Sequence, residues 1–134
     1  MGYRWYDAHD VEPNYPFGHG LSYSKFDYSG LKTSTTSVSC TIKNTGKLKG
    51  AEVPQLYLSF PSAAGEPPQQ LKGFTKVVLA PGASTEVAFP LSPRSVSIWS
   101  VTTHAWTVVK GSFGVRVGSS SRDIRLNGTL TVYE

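Results

Sequence analysis

The stretch Ser37-Val-Ser-Cys-Thr-Ile-Lys43 decides the fold of this chain, because its apolar residues alternate strictly with polar ones. Side chains on a β-strand point alternately to opposite faces, so the pattern predicts a strand with one buried and one solvated face. The apolar set is Val38, Cys40 and Ile42. Cys40 is the only cysteine, and its place in this set predicts a buried, inert thiol rather than a zinc ligand or a nucleophile.

Similar runs recur along the rest of the chain, separated by Gly, Pro and Asn turn signals at intervals of roughly 8 to 14 residues. They cover residues 38–43, 51–60, 71–79, 85–91, 98–101, 105–109, 113–117 and 124–132. No segment of about ten residues has the apolar spacing of an amphipathic helix. The sequence therefore predicts an all-β protein, an antiparallel sandwich of about seven to nine strands around one core. We expect Trp99 and Trp106 in that core, and we expect Pro54 to mark an edge strand or a bulge.

Residues 3–26 differ from the strands that follow. They hold seven aromatic residues, interrupted by Pro13, Pro16, Gly18 and Gly20. Flexible linkers are poor in aromatic residues, so this composition predicts an irregular arm that packs against another surface. We therefore divide the chain into an arm, residues 1–26, that continues from a preceding region, and a sandwich domain, residues 27–134.

The arm supplies the candidate binding residues, namely Trp5, Tyr6, Tyr15, Phe17 and His19. One interpretation is a stacking platform for sugar rings or for an aromatic polymer. The other is that these rings are buried against a neighbouring domain, with His19 as a polar turn residue. The second is favoured, because a free surface with so many rings would promote aggregation.

The charged residues point to no complete active site. The net charge of +4 comes from scattered residues, and the group of Lys43, Lys47 and Lys49 reads as a solvated turn rather than a nucleic-acid surface. The nine acidic residues are dispersed, and we expect them to be solvated, including the local group at residues 7–12. No spacing of histidines predicts a metal site, and no glycine motif predicts a phosphate loop or a serine nucleophile. We therefore expect no cofactor and no metal.

Two features concern cellular context. No apolar run approaches 18 residues and no signal peptide precedes Tyr3, so the aromatic start is typical of a boundary inside a longer protein. Asn127-Gly128-Thr129 is an N-glycosylation sequence, which matters for a protein secreted from a eukaryote.

Several motifs together resemble one known family over nearly the whole chain. They are Tyr15-Pro-Phe-Gly-His-Gly-Leu-Ser-Tyr23, Gly50-Ala-Glu-Val-Pro-Gln-Leu-Tyr-Leu58, Gly65-Glu-Pro-Pro-Gln-Gln-Leu-Lys-Gly-Phe74, Leu79-Ala-Pro-Gly82, Ser97-Ile-Trp99, Gly111-Ser-Phe-Gly-Val-Arg-Val-Gly118 and Ser119-Ser-Ser-Arg-Asp-Ile124. This set resembles the C-terminal fibronectin type III-like domain of glycoside hydrolase family 3, in the style of secreted fungal β-glucosidases.

The resemblance implies an immunoglobulin-like sandwich attached to two catalytic domains. The family's nucleophilic aspartate lies in a Ser-Asp-Trp motif that this chain lacks, and its acid/base glutamate belongs to another domain, so no catalytic residue is carried over. The resemblance further implies a secreted parent enzyme that releases terminal β-linked glucose. The chain would stabilise and dock on the parent's catalytic domains. The alternative is a binding module that adheres to lignin or cell-wall polysaccharide.

Overall fold

The alternating runs form strands in the structure, a computed structural model that describes residues 2–133. The strands are β1 (Phe26–Thr33), β2 (Ser37–Asn44), β3 (Gly50–Glu52), β4 (Gln55–Ser59), β5 (Gln70–Phe74), β6 (Val77–Leu79), β7 (Ser84–Pro90), β8 (Ser97–Ser100), β9 (Ala105–Val108), β10 (Gly111–Ser120) and β11 (Asp123–Val132). One α-helix, α1 (Tyr3–Ala8), precedes them, and short 3-10 helices span Ser62–Ala64 and Pro93–Val96.

Two antiparallel sheets face each other. One has the strand order β1-β2-β7, and the other has the order β11-β10-β4-β5. Two further strand pairs, β3-β6 and β8-β9, lie outside these sheets. The predicted all-β sandwich is confirmed.

The core lies between the two sheets and contains the residues that the alternation selects. Val38, Cys40 and Ile42 of β2 are completely buried, as are Val115 and Val117 of β10. Burial raises the pKa of the Cys40 thiol to about 11, so the group stays protonated near neutrality. Cys40 is therefore a small core residue, as the sequence indicates.

Two of the predicted runs are each divided between two sheets. Residues 51–60 separate into β3 and β4 at Pro54, and residues 71–79 separate into β5 and β6. Pro54 has no N–H for a ladder, and its carbonyl instead accepts a hydrogen bond from the Thr75 N–H, 3.3 Å. The expectation of an edge strand or a bulge is wrong in this respect: Pro54 lies at a strand break, and the following β4 is an interior strand between β10 and β5.

The expectation that Trp99 and Trp106 lie in the core is also wrong. The β8-β9 hairpin pairs these residues directly, and they are 49% and 46% exposed. The hairpin belongs to neither large sheet, so its rings have no facing sheet to cover them. Alternation within a strand shows that one face differs from the other, but it does not show that either face is covered.

A buried amide joins the end of β2 to the β3-β6 pair. The Asn44 side chain is completely buried and donates to the carbonyls of Leu48 and Leu79, at 2.8 and 2.9 Å. Its oxygen accepts from the Gly46 N–H, 2.9 Å. One buried side chain therefore satisfies three backbone groups, in the turn after β2 and at the end of β6.

We predict that Asn44→Ala lowers the free energy of unfolding by about 3 kcal/mol, because it leaves two carbonyls and one N–H without partners. Urea denaturation of the 134-residue chain measures this. Asn14→Ala, at an exposed position of the arm, is the control and should change the free energy by less than about 0.5 kcal/mol. Equal effects of the two substitutions would contradict the structural role of Asn44.

Candidate functional site

The arm begins with a helix that lies on the outer face of the four-stranded sheet. Tyr3 and Asp7 are four residues apart, so they share one face of α1. The Tyr3 hydroxyl oxygen accepts a hydrogen bond from the Leu71 N–H, 2.7 Å, and the Tyr3 ring meets the buried Tyr57 ring edge-on at 5.9 Å. The arm is therefore helical over its first residues, which differs from the irregular arm that the sequence predicts.

Asp7 fixes the other end of the helix. Its carboxylate is 3.1 Å from Arg122 and accepts a hydrogen bond from Gln69 Nε2, 3.0 Å. Only 9% of its side chain is exposed, so the expectation of a solvated acid is wrong for Asp7. Gln69 is itself buried, donates to the Ser121 carbonyl, 2.8 Å, and accepts from Arg116, 3.3 Å. This network ties α1 to the turn between β10 and β11.

A second buried amide, Gln55, holds the next part of the arm. Its Nε2 donates to the carbonyls of Gly18 and Ser119, at 3.0 and 2.8 Å. Its Oε1 accepts from the Tyr57 hydroxyl, 2.6 Å, and burial raises the pKa of that hydroxyl, so it stays a donor. A Cβ on Gly18 would lie 2.1 Å from Gln55 Oε1, and the φ of Gly18 is +79°, so this position requires glycine.

The five candidate residues of the arm do not form one flat platform. Trp5 and Tyr6 are 42% and 38% exposed on α1, and their rings meet at 86°. The Phe17 ring stacks on Tyr3 at 4.4 Å, which leaves it 44% exposed. Tyr15 is 81% exposed and lies 6.4 Å from the exposed His19 ring. The set therefore consists of an α1 pair, one ring used within the arm, and a Tyr15–His19 pair.

Beyond Phe17 the arm runs over a cleft of about 950 Å³. The cleft is bounded by residues 17–27 on one side and by β3, β5 and the β10-β11 turn on the other. Residues 21 and 23 of this segment, Leu21 and Tyr23, are 94% and 98% exposed, whereas Ser24 and Phe26 are buried. Tyr23 belongs to a motif that the sequence displays, but the exposure of its ring depends on how the arm is anchored at the next residue. The Ser24 hydroxyl donates to the Leu48 carbonyl.

The hairpin provides a second aromatic surface that sequence reasoning assigned to the core. The Trp99 and Trp106 rings are 5.8 Å apart at 66°, and the Arg94 guanidinium lies 3.8 Å from the centre of the Trp106 ring. Burial, and then the neighbouring charges of Arg4 and Arg94, lower the pKa of the Lys72 ammonium group. The charges of Arg4 on α1 and of Arg94 at the start of the hairpin therefore both act on Lys72 of β5.

Five acidic side chains among residues 2–133 have structural partners besides solvent, counting the exposed Glu12, whose carboxylate is 4.0 Å from Arg122. Asp123 accepts two hydrogen bonds from Arg125, at 3.2 and 3.0 Å, and these bonds, followed by that from Ser119, lower the pKa of its carboxyl group. Glu66 accepts from Gln70, and Glu52 accepts from the Val53 N–H. Together with Asp7, these three acids are held within the fold.

Among residues 2–133, no group of three or more His, Cys, Asp or Glu side chains is placed to hold a metal ion. Within the same residues, no helix has the length and apolar character needed to cross a membrane.

Comparison with known proteins assigns the sandwich. Residues 52–121 match the family model described as a fibronectin type III-like domain. The chain belongs to this family. A probable β-glucosidase D of Aspergillus niger is 47% identical to the fibronectin type III-like chain over 98% of its length, but only over 21% of the β-glucosidase. The chain therefore spans about a fifth of the length of the curated relatives it matches.

Solved structures agree with this assignment. The β-D-glucoside glucohydrolase of Trichoderma reesei is 41% identical, with a TM-score of 0.93 over 98% of this chain and 22% of the enzyme. A glycoside hydrolase family 3 β-glucosidase of Bifidobacterium adolescentis is 40% identical, with a TM-score of 0.93 over 98% of this chain and 20% of the enzyme. The fibronectin type III-like chain thus aligns with one region of much larger β-glucosidases.

We predict that Gly18→Ala releases the arm, because the new methyl group would collide with the buried Gln55 amide. The amide protons of Leu71 and Ser121, which bond to Tyr3 and to the Phe17 carbonyl, should exchange with solvent at least about tenfold faster. Hydrogen exchange followed by NMR measures this.

Gly65→Ala is the matched control. Gly65 has a similar φ of +66°, but a Cβ there would meet nothing within 4 Å. It should therefore cost about 1 kcal/mol of backbone strain without accelerating exchange at Ser121. Unchanged exchange at both amides in Gly18→Ala would contradict the anchoring of the arm by Gln55.

Proposed function

We propose that this chain is a non-catalytic accessory domain of a β-glucosidase that hydrolyses terminal β-D-glucosyl residues, and that it stabilises the parent enzyme by docking on its catalytic domains. The observation that carries the proposal is the alignment of 98% of this chain with only 21% of a β-glucosidase. The catalytic domains of the parent then lie outside this chain and are the partner.

The exposed rings of the domain support docking rather than a purely internal role. Trp5 and Tyr6 on α1 and Trp99 and Trp106 on the hairpin are each between 38% and 49% exposed. Aromatic rings of this kind are the usual anchors of protein interfaces, because each buries a large area at little cost in conformational entropy. Tyr3, in contrast, is engaged within the chain, because its ring stacks on Phe17 and its hydroxyl accepts from the Leu71 N–H.

We predict that the double substitutions Trp5→Ala/Tyr6→Ala and Trp99→Ala/Trp106→Ala destabilise the full-length parent by about 2 kcal/mol or more. The isolated 134-residue chain should lose less, because these rings are partly exposed there. Thermal unfolding of both proteins gives the comparison. Lys47→Ala, at an exposed turn, is the control and should affect neither.

Equal destabilisation of the isolated chain and of the parent would count against docking. The accessory role is tested separately with an aryl β-glucoside: the isolated chain should show no turnover and the parent should. Turnover by the isolated chain would overturn the non-catalytic assignment.

A second candidate function is adhesion to plant cell-wall polymer, either lignin or polysaccharide. It is favoured by the position of Arg94 on the Trp106 ring and by the neighbouring Arg4 and Lys72 charges. A surface that combines cationic and aromatic side chains suits an acidic phenolic polymer such as lignin.

If this second function operates, the isolated chain will deplete from solution onto insoluble lignin, and Trp99→Ala/Trp106→Ala will abolish most of the binding. Rising salt should weaken the interaction, because charges are screened. Retention equal to that of an unrelated sandwich domain, or equal retention of the variant, would exclude a specific polymer site. Trp5→Ala/Tyr6→Ala tests the arm in the same assay.

A further inference from the structure

We propose that Asn127 is an acceptor for an N-linked glycan, carried at the edge of the four-stranded sheet. The chain has three asparagines, and only Asn127 is followed by the acceptor pattern, through Gly128 and Thr129. Asn14 is followed by Tyr-Pro and Asn44 by Thr-Gly, so neither qualifies.

The structure exposes to solvent both the acceptor asparagine and the threonine that completes the acceptor pattern. Asn127 and Thr129 are exposed residues of β11, which is the last strand of its sheet. Register places Asn127 opposite Arg116, next to the outer face rather than the core, since Val117 and Leu126 form the adjacent inward pair. A glycan attached there would project into solvent without disturbing the core.

No structural role accounts for the asparagine itself. Asparagine and glycine are both disfavoured within strands, so their presence in the middle of β11 calls for a reason. Gly128 has one, because a Cβ there would lie 2.8 Å from the Leu31 side chain. Among residues 2–133, the Asn127 side chain makes no hydrogen bond or ion pair, whereas the Asn44 amide is bonded through both its nitrogen and its oxygen.

The arm leaves this position uncovered. Leu71, Tyr57, Arg116 and Asn127 form one row across the outer face, one residue from each strand. Tyr3 of α1 covers the Leu71–Tyr57 end of the row. Asn127 is two strand spacings, or about 10 Å, from Tyr57, so a glycan and the arm can occupy the same face together.

The modification uses a lipid-linked oligosaccharide diphosphate as donor. The Asn127 amide nitrogen attacks the anomeric carbon of the first sugar, a C–N bond forms, and the C–O bond to the diphosphate breaks. The lipid diphosphate leaves, and the amide nitrogen loses one proton. The reaction requires entry into a eukaryotic secretory pathway.

The test is expression of the 134-residue chain behind a secretion leader in yeast, followed by intact-mass analysis and treatment in heavy-oxygen water with a peptide N-glycanase, an amidase that hydrolyses the glycosylated Asn to Asp. We expect a glycoform series that collapses to one mass, with heavy oxygen incorporated at position 127. Spontaneous deamidation of the Asn-Gly pair occurs before the treatment and incorporates ordinary oxygen, so it is distinguished. Secreted, folded chain without glycan at Asn127 would overturn the proposal.

Three variants provide controls that do not depend on one substitution being tolerated. Thr129→Ala and Asn127→Gln should both lose the glycan completely, whereas Thr129→Ser should keep it at lower occupancy. The placement beside the arm is tested by hydrogen exchange at Leu71, which should be the same before and after removal of the glycan. A glycan that survives Asn127→Gln would refute the site. A change in Leu71 exchange on removal of the glycan would refute its placement.

Discussion

The rest of the structure depends on the hydrogen bonds of the buried Gln55 amide. This one side chain contacts the arm at Gly18, the end of β10 at Ser119, and the Tyr57 hydroxyl on the face that α1 covers. Both the nitrogen and the oxygen of a buried amide need hydrogen-bond partners, so these three segments must be arranged in a way that supplies them. Gln69 does the same for Asp7 and Ser121, nearer the sheet edge. The arm is consequently held to the sandwich by specific polar contacts, not only by its aromatic content.

This anchoring divides the aromatic residues of the arm into two groups with different roles. Tyr3 packs on Tyr57 of the sheet and carries the Phe17 ring stacked on it, although Phe17 remains 44% exposed. Trp5, two positions from both Tyr3 and Asp7, lies on the opposite side of the same helix, and Tyr6 beside it remains 38% exposed. An accessory domain that docks on a larger enzyme needs such an outward set, held in place by an inward one, because a rigid anchor loses little entropy on binding.

The hairpin also presents aromatic rings to solvent. Its two short strands pair only with each other, and an isolated two-stranded hairpin is at best marginally stable. It is held by a backbone bond from Val109 to Val96, 2.9 Å, and by Arg94 on the Trp106 ring. The domain thus carries two exposed tryptophans on a hairpin that pairs with neither large sheet.

The sequence by itself determined the sandwich, its core and its family. Strict alternation at Val38, Cys40 and Ile42 is a local property, and the combination of motifs from Tyr15 to Ile124 is specific enough to identify the relatives. Only the tertiary structure decided which candidate side chains are available for function. Asp7 is buried and the Trp99–Trp106 pair is exposed, the reverse of what their sequence surroundings suggest. The physical reason is that burial depends on what lies opposite a side chain. Arg122 and Gln69, which contact Asp7, are distant from it in sequence, and the Trp99–Trp106 hairpin pairs with neither large sheet.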